Sequence, residues 1–126
     1  MPAAKRILDS PHRTNWAPLH LVVPPDQVEM FMWMHGCVWT DGFRLEAYKH
    51  RITRQYLYLS EDGAAYMAGE DEALHRVDVR SALDAIGDNL EELGWPRATT
   101  PAVEAARLEQ LAARRRHPRP RRRRRC

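Results

Sequence analysis

The chain has 126 residues, enough for one domain, because two domains would each bury too little surface to offset their ordering entropy. Up to Ala113 it carries eleven Lys and Arg against all 17 Asp and Glu, a net charge of −6, whereas residues 114–126 carry nine arginines and no acid. No apolar run reaches the roughly 18 residues of a membrane-spanning helix. The composition therefore excludes such a helix and indicates an acidic body joined to a basic tail.

The arginine and cysteine content suggests the cellular setting. Eighteen arginines stand beside only two lysines, a bias that GC-rich codons produce, so we expect a high-GC bacterial origin. The two cysteines, Cys37 and Cys126, form no disulfide framework, and the N-terminus lacks the apolar segment of a secretory signal. We therefore expect a cytoplasmic protein, and no motif in the sequence indicates a cofactor.

Residues 1–25 contain five prolines, which remove amide donors and restrict the residues that precede them. We expect a proline-rich extended arm here, in which Leu19–Val23 could form a short strand at a sheet edge. The next segment, residues 26–34, is ambiguous. Asp26 and Glu29 are spaced as a capping box, which weakly favours a helix through about Trp33, yet the same apolar residues would also suit a strand.

Residues 36–68 carry the clearest strand pattern. Asp41-Gly42 is typical of a two-residue hairpin turn, and apolar side chains alternate with charged ones from Phe43 to Ala47. A second pair of strands is predicted on either side of the turn at residues 60–63, which contains a glycine suited to positive φ. The sequence therefore predicts a four-stranded antiparallel meander.

Two helices are predicted after the meander. The first begins at Asp78 as N-cap and ends at Gly94, with an apolar stripe formed by Val79, Ala82, Leu83, Ile86, Leu90 and Leu93. The second begins after Thr100, with Pro101 in its first turn, and runs to about Arg116. We thus expect an α+β core domain at 26–95 in which the first helix covers the sheet, a C-terminal helix at 96–116, and a disordered arginine-rich tail at 117–126.

The first candidate site is the basic segment between two strands that carry tyrosines. Tyr56 and Tyr58 could stack on bases while Lys49, Arg51 and Arg54 hold phosphates, which is a known mode of nucleic-acid binding. Tyrosines also favour strands for packing alone, and basic loops are usually just solvated, so the pattern is not specific.

The second candidate site is the tail, whose guanidinium groups would attract a polyanion in a salt-dependent and sequence-blind way. A charge run carries no specificity, and GC-rich coding alone could produce it, so both explanations stay open. The arginines assigned to this site are Arg114, Arg115, Arg116, Arg119, Arg121, Arg122, Arg123, Arg124 and Arg125.

Metal binding and catalysis have weaker support. His35 and Cys37 are two residues apart and could face the same way on a strand, with His50 across the sheet, but a structural zinc site needs four ligands. Ser60, Ser81 and Cys37 lie in no recognisable nucleophile setting. We therefore predict neither a metal site nor catalytic residues, and we expect a protein that is not an enzyme.

The string YKHRITRQYLYL at residues 48–59, followed by a Ser-Glu-Asp-Gly turn and a tyrosine, resembles a segment of small proteins from actinobacteria, their plasmids and their phages. The resemblance implies that the protein comes from an actinobacterium or one of its mobile elements, but it implies no activity. Together with the charge pattern it suggests an accessory protein of a mobile element that binds nucleic acid non-specifically. The alternative is a protein-interaction or regulatory module, for example in plasmid transfer, that uses the exposed sheet face or the helix at 101–116.

Overall fold

The computed structural model describes residues 6–8, 14–39, 42–68, 70 and 73–116, in which antiparallel strands are packed against helices. The elements in chain order are β1 (Arg6–Leu8), α1 (Ala17–Val22), α2 (Pro25–Val28), β2 (Phe31–Trp39), β3 (Arg44–His50), β4 (Tyr56–Ser60), β5 (Ala65–Ala68), β6 (Leu74–Val77), α3 (Val79–Glu92) and α4 (Pro101–Arg116). Each strand pairs with its neighbours in the chain, so β2–β6 form a five-stranded meander and β1 pairs along the outer edge of β2.

The α+β class and the antiparallel meander are confirmed, but the predicted number of strands is wrong. The fifth strand of the meander, β6, pairs with β5 through Tyr66 opposite Arg76. It has only four residues, and its sequence Leu-His-Arg-Val shows too little alternation to be recognised as a strand.

The positions of both predicted hairpin turns are confirmed, but the first is not the predicted two-residue turn, because Trp39 pairs with Phe43 and leaves three residues between them. Gly42 has φ of +87°, and the Trp39 amide donates to the Phe43 carbonyl at 2.8 Å. At the second turn Gly63 has φ of +83°, and the Ser60 amide donates to the Ala64 carbonyl at 2.9 Å. Both glycines therefore supply the positive φ that a tight turn requires.

The predicted edge strand at Leu19–Val23 is wrong, because these residues belong to helix α1 and its C-cap. Pro18 lies in the first turn, where its missing amide costs nothing, and the Asn15 side chain accepts a hydrogen bond from the Ala17 amide at 3.1 Å. Leu19 is completely buried. The arm is thus not extended throughout, because at least this part of it packs on the sheet.

The weakly favoured helix through Trp33 is mostly wrong. Helix α2 ends at Val28, and Pro24 occupies the N-cap position that was assigned to Asp26. Strand β2 begins at Phe31, earlier than predicted, and its register shifts between Trp33 and His35. This irregularity interrupts the period-two alternation, which is the physical reason that the pattern could not identify the strand.

The hydrophobic core lies between one face of the sheet and helices α1 and α3. It contains Leu19, Val23, Val28, Phe31, Tyr48, Leu57, Leu59, Ala65, Ile86 and Leu90. Helix α3 is capped by the Asp78 carboxylate, which accepts from the Ser81 amide at 3.0 Å, and Gly94 follows its end with φ of +84°, both as predicted. Leu93, however, is 52% exposed, so the predicted apolar stripe effectively ends at Leu90.

Candidate nucleic-acid interface

Strand alternation divides the basic and aromatic segment at residues 48–58 between the two faces of the sheet. In the β3–β4 register Tyr48 is opposite Leu57, and Lys49 is opposite Tyr56. Tyr48 and Leu57 belong to the core beneath the helices, so Lys49 and Tyr56 lie on the opposite face. Tyr58 is two residues after Tyr56 on the same strand and shares that face. Three of the predicted site residues are therefore brought together.

We call the set Lys49, Tyr56 and Tyr58 the tyrosine face. The rings of Tyr56 and Tyr58 are nearly parallel, with 13° between their planes and 5.9 Å between their centroids. The Lys49 ammonium lies 5.4 Å from the centroid of the Tyr56 ring. Tyr56 is 44% exposed, while Lys49 and Tyr58 are half-buried. An exposed π surface with a cation beside it is chemically suited to a nucleobase and its phosphate.

The loop after β3 places the two predicted arginines differently. Arg54 is exposed and has φ of +66°, and its amide donates to the His50 carbonyl at 3.0 Å. The Arg51 guanidinium instead forms an ion pair with Glu104 on α4, at 3.1 Å. The loop therefore presents Arg54 to solvent and uses Arg51 to attach the last helix.

His50 lies within the basic segment but faces the interior. Its Nδ1 accepts hydrogen bonds from the amides of Ile52 and Thr53, each at 3.2 Å, and its ring meets Phe31 edge-on at 5.1 Å. Burial, with a smaller contribution from the charge of Arg51, lowers the pKa of His50 to about 4. At neutral pH this histidine is uncharged and shapes the loop without adding to its positive charge.

Glu46 is a buried carboxylate that sequence analysis did not identify. It is 1% exposed and accepts from Trp33 Nε1 at 2.8 Å, from Arg44 Nε at 2.6 Å and from Asn15 Nδ2 at 3.4 Å. The neighbouring Tyr48 hydroxyl donates to the Asn15 carbonyl at 2.6 Å. Burial, together with the charge of Glu46, raises the pKa of Tyr48. The network joins the N-terminal segment to the sheet and leaves Glu46 no exposed surface on which to bind a ligand.

The C-terminal arginines fall into two groups. Arg114, Arg115 and Arg116 form the exposed last turn of α4, a helix in which no residue is buried. Near its start the helix is attached to the body by Arg107, whose guanidinium lies 4.4 Å from the Trp95 ring centroid and donates to the Gly94 carbonyl. Arg119 and Arg121–Arg125 lie outside the described residues, as does the predicted disorder of residues 117–126.

Sequence reasoning missed other members of the face that bears the tyrosines. Tyr66 is opposite Tyr58 in β5, and Arg76 is opposite Tyr66 in β6. The Phe43 ring meets Tyr66 edge-on, with 5.4 Å between centroids, and Trp39 lies 5.4 Å from Phe43. Tyr66 could have been found by continuing the predicted hairpin register across the turn at residues 60–63. Arg76 could not, because its strand was not predicted.

The residues considered for metal binding are not gathered at one place. Cys37 is opposite Leu45 and His35 is opposite Ala47, which puts both on the tyrosine side of the sheet, whereas His50 points to the core side. Over the described parts of the chain, no cluster of three or more His, Cys, Asp or Glu could hold a metal ion. His50 instead lines a cavity of about 200 Å³ together with apolar residues such as Val23, Phe31 and Leu90.

No family model, curated protein or solved structure matches the chain. The resemblance of residues 48–59 to small actinobacterial proteins therefore stays a prediction. Among the described residues, no helix combines the length and the apolar character needed to cross a bilayer.

Proposed function

We propose that the chain is a non-enzymatic accessory protein that binds nucleic acid without sequence specificity through its arginine-rich C-terminal segment. The observation that carries the proposal is the separation of charge, with a net −6 up to Ala113 and nine arginines after it. Guanidinium groups in such a run displace counterions from a polyanion and bind it whatever its sequence.

Helix α4 supports this proposal because it presents the start of the basic segment to solvent. Its first turns are attached to the body by Arg51–Glu104 and by Arg107, while Arg114–Arg116 are exposed at its end. Positive side chains at a helix C-terminus are also favoured by the helix dipole, which stabilises the last turn. Lys49 and Arg54, on the tyrosine face and its adjoining loop, would add contacts to the same polyanion.

The experiment compares the full chain with two variants of equal length, using fluorescence anisotropy with a labelled DNA duplex at low salt. Replacing the nine C-terminal arginines with glutamine removes their charge, and replacing them with lysine retains it. We expect the glutamine variant to lose most of its affinity and the lysine variant to keep most of it, because the attraction is electrostatic. Equal binding by the glutamine variant, or no binding by the full chain, would overturn the proposal.

A second candidate function is a protein-interaction module that uses α4. Leu108 is 55% exposed and Leu111 is 43% exposed on a helix with no buried residue, which is the pattern of a helix that inserts into an apolar groove. Replacing both leucines with serine should abolish recovery of a protein partner from the native host and leave DNA binding unchanged. Recovery that survives this change would remove α4 from the interaction.

A further inference from the structure

The sheet face opposite the helices is free of carboxylates along its strands, although the body as a whole is acidic. In β2–β6 the positions that share a face with Lys49 contain no Asp or Glu. They carry the cations Lys49 and Arg76 and several aromatic rings. Cys37, Leu45 and Ala47 on the same face are buried, so the accessible part of the face is the part around Tyr56. The only acidic residue within these five strands is Glu46, which belongs to the opposite face and is buried.

Acidic residues lie in turns at both ends of this face, with Glu61 and Asp62 between β4 and β5 and Glu70 between β5 and β6. Glu61 and Asp62 line a shallow depression with Phe43 and Tyr66. Hydrogen bonds from the Ser60 hydroxyl and the Ala64 amide lower the pKa of Asp62 and keep it ionised. The positive charge next to Tyr56 comes from Lys49, with the exposed Arg54 in the adjoining loop.

We propose that this face binds the unpaired bases of single-stranded nucleic acid, with Tyr56 as the main stacking surface and Lys49 beside the phosphates. The proposal rests on the proposed function and adds a preference among nucleic acids that the arginine tail alone would not produce. A π surface on a sheet reaches bases only when they are unpaired, because in a duplex each base is stacked between its neighbours. Tyr58 and Tyr66, which are cross-strand neighbours, extend the aromatic surface from Tyr56 across the sheet.

The test compares the affinity of the full chain for an oligothymidylate of about twenty nucleotides with its affinity for a duplex of the same length. This length exceeds the ~4–16 nucleotides that one small domain covers. We expect Tyr56→Ala to weaken oligothymidylate binding about tenfold and to change duplex binding less than twofold, on the scale of one lost stacking contact. Tyr56→Phe retains the ring and should keep both affinities. The matched control is Met67→Ala, which truncates a similarly exposed side chain on the other face of the sheet, in β5.

An equal loss on both nucleic acids, or no loss on the oligothymidylate, would overturn the single-strand proposal while leaving the tail proposal standing. No binding of either nucleic acid by the full chain would overturn both. Sedimentation of the same variants adds a further outcome: a dimer that Tyr56→Ala dissociates would assign the face to a second copy of the chain, which also contradicts the proposal. Thermal unfolding shows whether each variant remains folded.

Discussion

Arg51 and Glu104 join the loop after β3 to α4 through an ion pair of 3.1 Å. The contact brings two segments that sequence analysis treated as separate into one structure, and it occupies an arginine that had been assigned to nucleic acid. The Arg51 guanidinium must therefore leave the Glu104 carboxylate before it can bind a phosphate of nucleic acid.

We therefore expect Glu104→Gln to raise duplex affinity about threefold, the scale of a partly exposed ion pair, by releasing Arg51. Glu109→Gln removes the same charge from the same exposed helix and serves as the control for the change in net charge. Anisotropy titrations of the two variants check the prediction. Identical gains would show that only net charge matters and that the Arg51 contact has no effect.

Gly87 on α3 makes room for Arg97, whose guanidinium lies across the helix against Asp84, Asp88 and Glu91. A Cβ at position 87 would come within 2.8 Å of Arg97 Cγ. Glycine to alanine within a helix normally stabilises by about 0.5–1 kcal/mol. We expect Gly87→Ala to give no such stabilisation in the wild-type chain, because the new methyl group meets Arg97. In an Arg97→Ala background the same change should increase the free energy of unfolding, as measured in urea. The same effect in both backgrounds would show that Arg97 does not restrict the position.

The buried carboxylate of Glu46 should contribute strongly to stability. Glu46→Gln removes the charge that binds Arg44 and replaces one acceptor oxygen with a donor facing Trp33 or Arg44. We expect a loss of about 2 kcal/mol in the free energy of unfolding, because charged hydrogen bonds in a buried site are broken. Arg44→Gln should cost at least as much, since it leaves the buried Glu46 carboxylate without its cationic partner. A loss for Arg44→Gln clearly smaller than that for Glu46→Gln would contradict this account of the network.

His50 should make stability depend on pH. Its pKa is about 4 in the folded chain and near 6.5 when unfolded, so between these values the unfolded state binds the extra proton. The titration of His50 therefore does not change the free energy of unfolding above about pH 6.5, and it lowers that free energy by about 3 kcal/mol as the pH falls to 4. The NMR titration of the His50 ring should have its midpoint near 4. A midpoint near 6.5 would show that the ring is solvated.

Local sequence patterns predicted the elements whose ends are marked by specific residues. Asp78, Gly94, Thr100 and Pro101 bound two helices as expected, and two turn glycines define the hairpins. Helix α1 was missed because the short segment Leu19–Val23, with four apolar residues, suits either a helix or a strand, and only its packing on the sheet selects the helix. The start of β2 was missed because its register irregularity breaks the alternation.

The candidate site was predicted in part. Lys49, Tyr56 and Tyr58 were identified because alternation within a hairpin determines which residues share a face. The ion pair of Arg51 with Glu104 depends on contacts between segments about fifty residues apart, which no local pattern contains. The same is true of the Glu46 network, in which Asn15, Trp33 and Arg44 converge from different parts of the chain.

The salt dependence of binding tests the central claim most directly. The affinity of the full chain for duplex DNA should fall steeply as the salt concentration rises. In a plot of log affinity against log salt concentration, a chain that ends at Ala113 should have a shallower slope than the full chain, by several units and at most about 8. Thermal unfolding of the shortened chain serves as the control for folding. Equal slopes for the full and shortened chains would contradict the assignment of nucleic-acid binding to the arginine-rich segment.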